Sequence, residues 1–205
     1  MISSFPTRRH FLAGSGAACL LTGCSSLISA PPPHLYTLTP PRDFAPDLPT
    51  VKPQLVIALP DAAQGFDTDR IALAHSATSF DYFADSIWVD RAPLMIQGLL
   101  VEAFENTGKI QAVARDSSDL HADYTLHSDL RDFEARYESP DQPPLVQVRL
   151  SVRLVRMQDR QIVGTFAANG QNKAGGNDLN SIVNTFNDTL SPVLRQIVEW
   201  SLRRL

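Results

Sequence analysis

Val146, Val148, Leu150, Val152 and Leu154 alternate without a break against Gln147, Arg149, Ser151 and Arg153. A period of two sustained that long puts the apolar side chains on one face of a strand and the polar ones on the other. The chain is therefore bound to a sheet with one wet face and one covered face. Two amphipathic segments can supply the cover. After a cap at Asn177 or Asp178, Leu179, Ile182, Val183, Phe186, Leu190, Val193, Leu194 and Ile197 form a helical stripe, which Pro192 is expected to kink. A shorter helix is predicted from a cap at Asp90 or Ala92, with Pro93 in its first turn, to Gly108. Its docking face is Ile96, Leu100, Ala103, Phe104 and Thr107.

Further strands are predicted from composition and punctuation. Residues 55–59 are a continuous apolar run closed by Pro60, as in a buried central strand. Residues 70–74, 79–83 and 110–114 read as short strands, and residues 122–137 as a long one. In the long strand the apolar phase slips between Leu130 and Phe133, which predicts a β-bulge near Arg131-Asp132. A turn at residues 158–161 returns the chain into a strand over 162–169. The expected fold class is α+β: a mostly antiparallel twisted β-sheet with two α-helices packed on one face.

The first 24 residues read MISSFPTRRHFLAGSGAACLLTGC. Arg8 and Arg9 form a positive n-region, and the apolar stretch from Phe11 to Thr22 is too short to span a bilayer. Leu21-Thr22-Gly23-Cys24 resembles the lipobox of bacterial lipoproteins. Cleavage is then expected before Cys24, whose thiol is the nucleophile that takes the lipid. Thr7-Arg8-Arg9-His10-Phe11-Leu12 resembles the twin-arginine export motif, carried by Arg8, Arg9, Phe11 and Leu12. A generic positive n-region is the other reading of the arginine pair. Ser25 stands where an aspartate would favour inner-membrane retention, so the outer membrane is the default destination. Residues 1–23 are thus read as signal peptide, 24–53 as lipidated cysteine and proline-rich tether, and 54–205 as the folded domain. The prolines keep the tether extended, with a reach of about 80 Å. Within it, residues 34–38 alternate like a short strand.

Loss of the signal removes two of the eighteen basic residues, leaving sixteen against twenty-two acids, a net charge of −6. Such a chain is a poor match for nucleic acid or for anionic headgroups, so membrane attachment falls to the acyl chains. Of the two cysteines, Cys19 leaves with the signal and Cys24 is acylated. No thiol remains for a disulfide or a cysteine metal site.

Catalytic and metal motifs are missing from the sequence. The mature histidines, His34, His75, His121 and His127, lack paired spacing for zinc, and no G-x-S-x-G elbow or P-loop occurs. His121-Ala122-Asp123 reads as a loop, and the acids around Asp67-Thr68-Asp69 lack the distal glutamate of a calcium loop. Gly175-Gly176-Asn177-Asp178 reads as a hinge and cap. The expectation is a protein without cofactor, metal or catalytic residue, carrying only covalent lipid on Cys24. The alternative is a periplasmic enzyme with a cryptic site, or another envelope-assembly lipoprotein. Tyr82, Trp88 and Arg91 are candidate partner contacts, because aromatics and arginine anchor interfaces; a core role for Trp88 is the competing reading.

The mature chain resembles the ABC-type transport auxiliary lipoprotein family, which includes the paraquat-inducible-type outer-membrane lipoproteins. The matching stretches begin with Leu35-Tyr36-Thr37-Leu38, Arg70-Ile71-Ala72-Leu73 and Phe80-Asp81-Tyr82-Phe83 through Trp88 to Pro93-Leu94-Met95-Ile96-Gln97. They continue with Ala122-Asp123-Tyr124-Thr125-Leu126, the strand over 146–155, and Ile197-Val198-Glu199-Trp200. Leu73-Ala74 departs from the Tyr-Arg usual in the family. The resemblance implies a small α+β domain facing the periplasm. It implies a non-enzymatic role beside an MCE-domain protein, an ABC permease and an ATPase that move phospholipid or other hydrophobic molecules between membranes. A homo-oligomer is compatible with that role.

Overall fold

The computed structural model describes residues 31–76, 78–118, 121–139 and 141–205; the signal, the arginine pair and Cys24 lie outside the described residues. Nine strands and two helices follow in order among the described residues. They are β1 (His34–Tyr36), β2 (Val51–Ile57), β3 (Asp61–Ala62), β4 (Arg70–Ser76), β5 (Ser79–Trp88), α1 (Ala92–Thr107), β6 (Ile110–Arg115), β7 (Tyr124–Arg136), β8 (Leu145–Arg156), β9 (Gln161–Lys173) and α2 (Leu179–Leu202). None of the described helices is long and apolar enough to cross a membrane.

β7, β8 and β9 form a long antiparallel meander. Its register puts Leu126, Leu130, Phe133 and Ala135 beside Leu154, Leu150, Val148 and Val146, all within the core. The pairing slips between Leu130 and Asp132, where the phase change in the sequence placed a bulge. Without that extra residue, Phe133 would turn to the wet face.

The expectation of a mostly antiparallel sheet is corrected. Five of the eight strand pairings are parallel, and the sheet is mixed. Along the edge of β7 away from β8, β2, β3 and β4 line up in turn and run parallel to it. β6 joins the outside of β2, again parallel, after the crossover through α1. Parallel neighbours require such crossovers, and alternation along one strand carries no mark of its neighbour's direction.

Both helices contribute to a single core on the covered face. The α2 stripe buries Ile182, Val183, Phe186, Leu190, Val193, Leu194 and Ile197 in one continuous helix that runs through Pro192. Each such side chain stabilises by about 1.5–3 kcal/mol on full burial. Asp178 caps α2, accepting the Ser181 N–H at 3.0 Å. Gly108 ends α1 in the left-handed region, at φ 60°, which glycine adopts without strain. The first helix departs in one detail: its N-cap is Arg91, with no side-chain cap bond, rather than Asp90 or Ala92.

The proline-rich segment also differs from the expected tether. From residue 34 onward it is part of the domain. β1 pairs parallel with β5, and Leu38, Leu48 and Val51 are core residues. A strap over residues 36–47 runs along α2. Tyr36 donates its hydroxyl to Asn180 at 3.0 Å, and the N–H of Thr39 donates to Asn187 at 2.8 Å. The N–H of Ala45 donates to Glu199 at 2.9 Å. Arg195 pairs with Asp43 at 2.7 Å and Arg203 with Asp47 at 3.0 Å. Proline fixes an extended backbone but leaves open whether that backbone is solvated or packed.

Candidate functional site

Trp88 lies on the covered face. It is 1% exposed and packs against Phe133 at 5.5 Å and Phe186 at 5.3 Å between ring centroids. This aromatic knot ties β5, β7 and α2 together. The indole cannot meet a partner without opening the core, so the surface role proposed for Trp88 is withdrawn and its core role stands.

Tyr82 lies in different surroundings. It pairs in register with Ala72 of β4, and Phe80 pairs with Ala74. The covered face of β4 belongs to Ile71 and Leu73. By alternation Tyr82 and Phe80 stand on the opposite face, where no helix lies over them. Phe80 makes edge contacts with Tyr82 and with Phe66, both at 5.3 Å between centroids. The Tyr82 hydroxyl donates to the carbonyl of Gly65 at 3.2 Å, and the Arg70 guanidinium stands 3.8 Å over the Tyr82 ring. A side chain on Gly65 would press against Phe80 at 3.3 Å, so glycine there lets the loop before β4 close onto the ring. Phe80 remains 40% exposed.

Arg91, the third candidate, is exposed and forms an ion pair with Asp67. The Asp67 hydrogen bond, with its charge, holds the guanidinium above its ordinary pKa. The Arg91–Asp67 pair, with the N–H of Ala92 donating to Thr68 at 2.9 Å, fixes the loop that carries Gly65 and Phe66. Arg91 thus shapes the aromatic surface from its border. The sequence singled out Tyr82 and Arg91 but not Phe66, Phe80 and Arg70, which converge beside Tyr82 only once β4 and β5 pair. The arrangement offers flat aromatic edges beside a stacked cation, the chemistry of an interface anchor.

Of the His121-Ala122-Asp123 group weighed for catalysis, the carboxylate is engaged elsewhere. Asp123 accepts the N–H of Gln54 at 2.8 Å, so its carboxylate serves β2 rather than an imidazole. Asp116 accepts from the N–H of Leu59 and from the buried Gln97 amide. His121, Met157 and Lys52 line an open groove of about 620 Å³ at the hairpin end of the sheet. Among the described residues no cluster of three or more histidines, cysteines and acids could hold a metal.

The fold and this surface can be set against known proteins. An uncharacterised protein of Bradyrhizobium diazoefficiens is 26% identical over 167 residues; the match takes in 82% of this chain but only 44% of the relative. The chain therefore spans less than half the length of that curated relative. A crystal structure of a Xanthomonas campestris protein superposes with a TM-score of 0.77 at 28% identity, covering 83% of this chain and 95% of that one. A further solved protein shares the fold with a TM-score of 0.60 at 13% identity, covering 84% of this chain and 98% of that one. The family model for the ABC-type transport auxiliary lipoprotein component matches residues 36–198, from β1 almost to the end of α2. This protein belongs to the family of ABC-type transport auxiliary lipoprotein components.

Proposed function

We propose that this protein is a non-enzymatic auxiliary component of an intermembrane lipid transport system, working with an MCE-domain protein, an ABC permease and an ATPase. Lipid on Cys24 anchors it in the outer membrane, and its domain faces the periplasm. It needs no cofactor or metal and binds no nucleic acid. The observation that carries this reading is the family match over residues 36–198, nearly the whole described fold. The surface of Phe66, Phe80, Tyr82 and Arg70 supports a protein partner, since such residues concentrate binding energy where water is excluded. The structural hydrogen bond that Asp123 accepts from Gln54 favours this reading over the enzyme alternative.

The experiment is affinity purification of the full chain, tagged at its C-terminus, from detergent-solubilised membranes of the native host. An MCE-domain protein is expected among the co-purified proteins by mass spectrometry. Its absence under mild detergent, with the lipoprotein itself recovered, overturns the transport reading.

A further inference from the structure

Leu35 is 65% exposed and Val89 is 54% exposed. They are neighbours in the fold. Leu35 sits beside Ile87 in the parallel pairing of β1 with β5. The N–H of Val89 donates to the carbonyl of Tyr36 at 2.8 Å, which extends the same ladder by one residue. Trp88 in this ladder turns into the core and Tyr36 packs partly against it. Successive side chains alternate across a sheet, so Leu35 and Ile87 share the opposite face, and Val89 follows just beyond the end of β5. Single exposed aliphatic residues are ordinary, but Leu35 on the outermost strand and Val89 just past the end of β5, with the half-buried Ile87 between them, form a small apolar margin.

This margin lies where the chain enters the fold. Nine residues, 25–33, separate Cys24 from β1. Nine fully extended residues reach about 30 Å at most. Lipid on Cys24 therefore confines the margin to a thin layer next to the bilayer, a far shorter leash than the proline-rich sequence suggested. The chain around it carries a net negative charge, so attraction to headgroups does not hold it there, whereas apolar contact can.

We propose that Leu35, Ile87 and Val89 dock the domain directly against the lipid bilayer. The domain then sits on the membrane with β1 nearest to it. Arg70, in register with Ile87, borders this margin, and Phe80 and Tyr82 lie beyond it, open to a partner. The proposal rests on the lipidation reading of Cys24.

The mature chain has no cysteine other than Cys24, which permits single labels at chosen sites. Leu35→Cys, Val89→Cys and, as a remote control, Ile162→Cys are each introduced into the full chain and labelled with nitroxide. The proteins are reconstituted into phosphatidylethanolamine–phosphatidylglycerol vesicles, after intact mass spectrometry has established whether Cys24 carries lipid. Labels at 35 and 89 are expected to lose collisions with a water-soluble nickel complex and gain collisions with oxygen, while the label at 162 keeps its nickel access. Equal nickel access at all three sites in lipidated protein overturns the docking and leaves the anchor intact. Dipolar broadening between labels at 35 places a second copy over the margin and also overturns it. Lack of lipid on Cys24 removes the anchor reading and the proposal together.

Discussion

The guanidinium of Arg70, on β4, stands 3.8 Å over the ring of Tyr82, on β5. The contact holds the ring upright beside Phe80 and keeps a cation at the centre of an aromatic surface. At an exposed site such a pair stabilises by about 0.5–1 kcal/mol. Its value to a partner is larger, because docking removes the water that screens it. The double variant Arg70→Ala, Tyr82→Ala is expected to lose most of its capture of the MCE-domain protein while keeping a cooperative urea transition. Undiminished capture would move the partner to another face.

Trp88 bears on stability. Removing a buried tryptophan side chain costs about 3–5 kcal/mol, through lost transfer energy and the cavity left between neighbours. Trp88→Ala should therefore shift the urea midpoint strongly downward. Trp88→Phe should shift it less, because the indole N–H has no hydrogen-bond partner among the described residues and phenylalanine leaves none to satisfy. A midpoint unmoved by Trp88→Ala would contradict its place in the aromatic knot.

Gly170 sets how closely α2 approaches β9. A Cβ there would lie 2.9 Å from the Thr189 carbonyl oxygen and 3.2 Å from Val193. The first obstacle is backbone, so the helix itself must move. Gly170→Ala is expected to destabilise by about 1–3 kcal/mol, the usual range for overpacking. Gly175→Ala meets nothing within 4 Å and serves as the control. Equal thermal midpoints for the two variants would show that α2 yields freely.

Asp178 makes stability depend on pH. The hydroxyl and N–H of Ser181 hold its carboxyl below the ordinary range. A pKa lowered in the folded state contributes stability that is complete above the unfolded value of about 3.9. That contribution fades as pH falls through the folded value. Asp178→Ala should lower Tm near neutral pH, and the gap to the parent should narrow on acidification. Asp178→Asn should keep much of the cap, since asparagine caps nearly as well. A gap that is constant across the acid range would separate the cap from its charge.

Export has its own test. Arg8→Lys with Arg9→Lys keeps both positive charges but removes the guanidinium geometry. Loss of the mature form from the envelope fraction is expected for a twin-arginine signal. Normal maturation returns the pair to a generic n-region.

Much of this fold was legible because it depends on one-dimensional patterns. The period-two run over β8, the phase slip at Arg131-Asp132 and the stripe of α2 each state which face a residue must take, and the register obeys them. Direction was not legible. β2, β3 and β4 run parallel to β7 because of how crossovers return the chain, and that is settled by packing, not by any residue in those strands. The prolines before β2 announced an extended backbone, yet its packing depends on Asn180, Asn187 and Glu199, more than a hundred residues away. Phe66 and Phe80 carried no mark of an interface, being separated by a loop and a strand until pairing brings their rings together.

The strap along α2 also fixes an order of events in time. Its bonds join residues 144 to 156 positions apart, from Tyr36–Asn180 to Asp47–Arg203. Closing loops of that length costs entropy before any contact rewards it, and such contacts slow folding. During synthesis the strap can meet β5 and α1 early, but its partners on α2 are missing until that helix has been made. Its docking therefore waits for α2: a product cut short before α2 lacks the surface that receives residues 36–47, however well its sheet has formed.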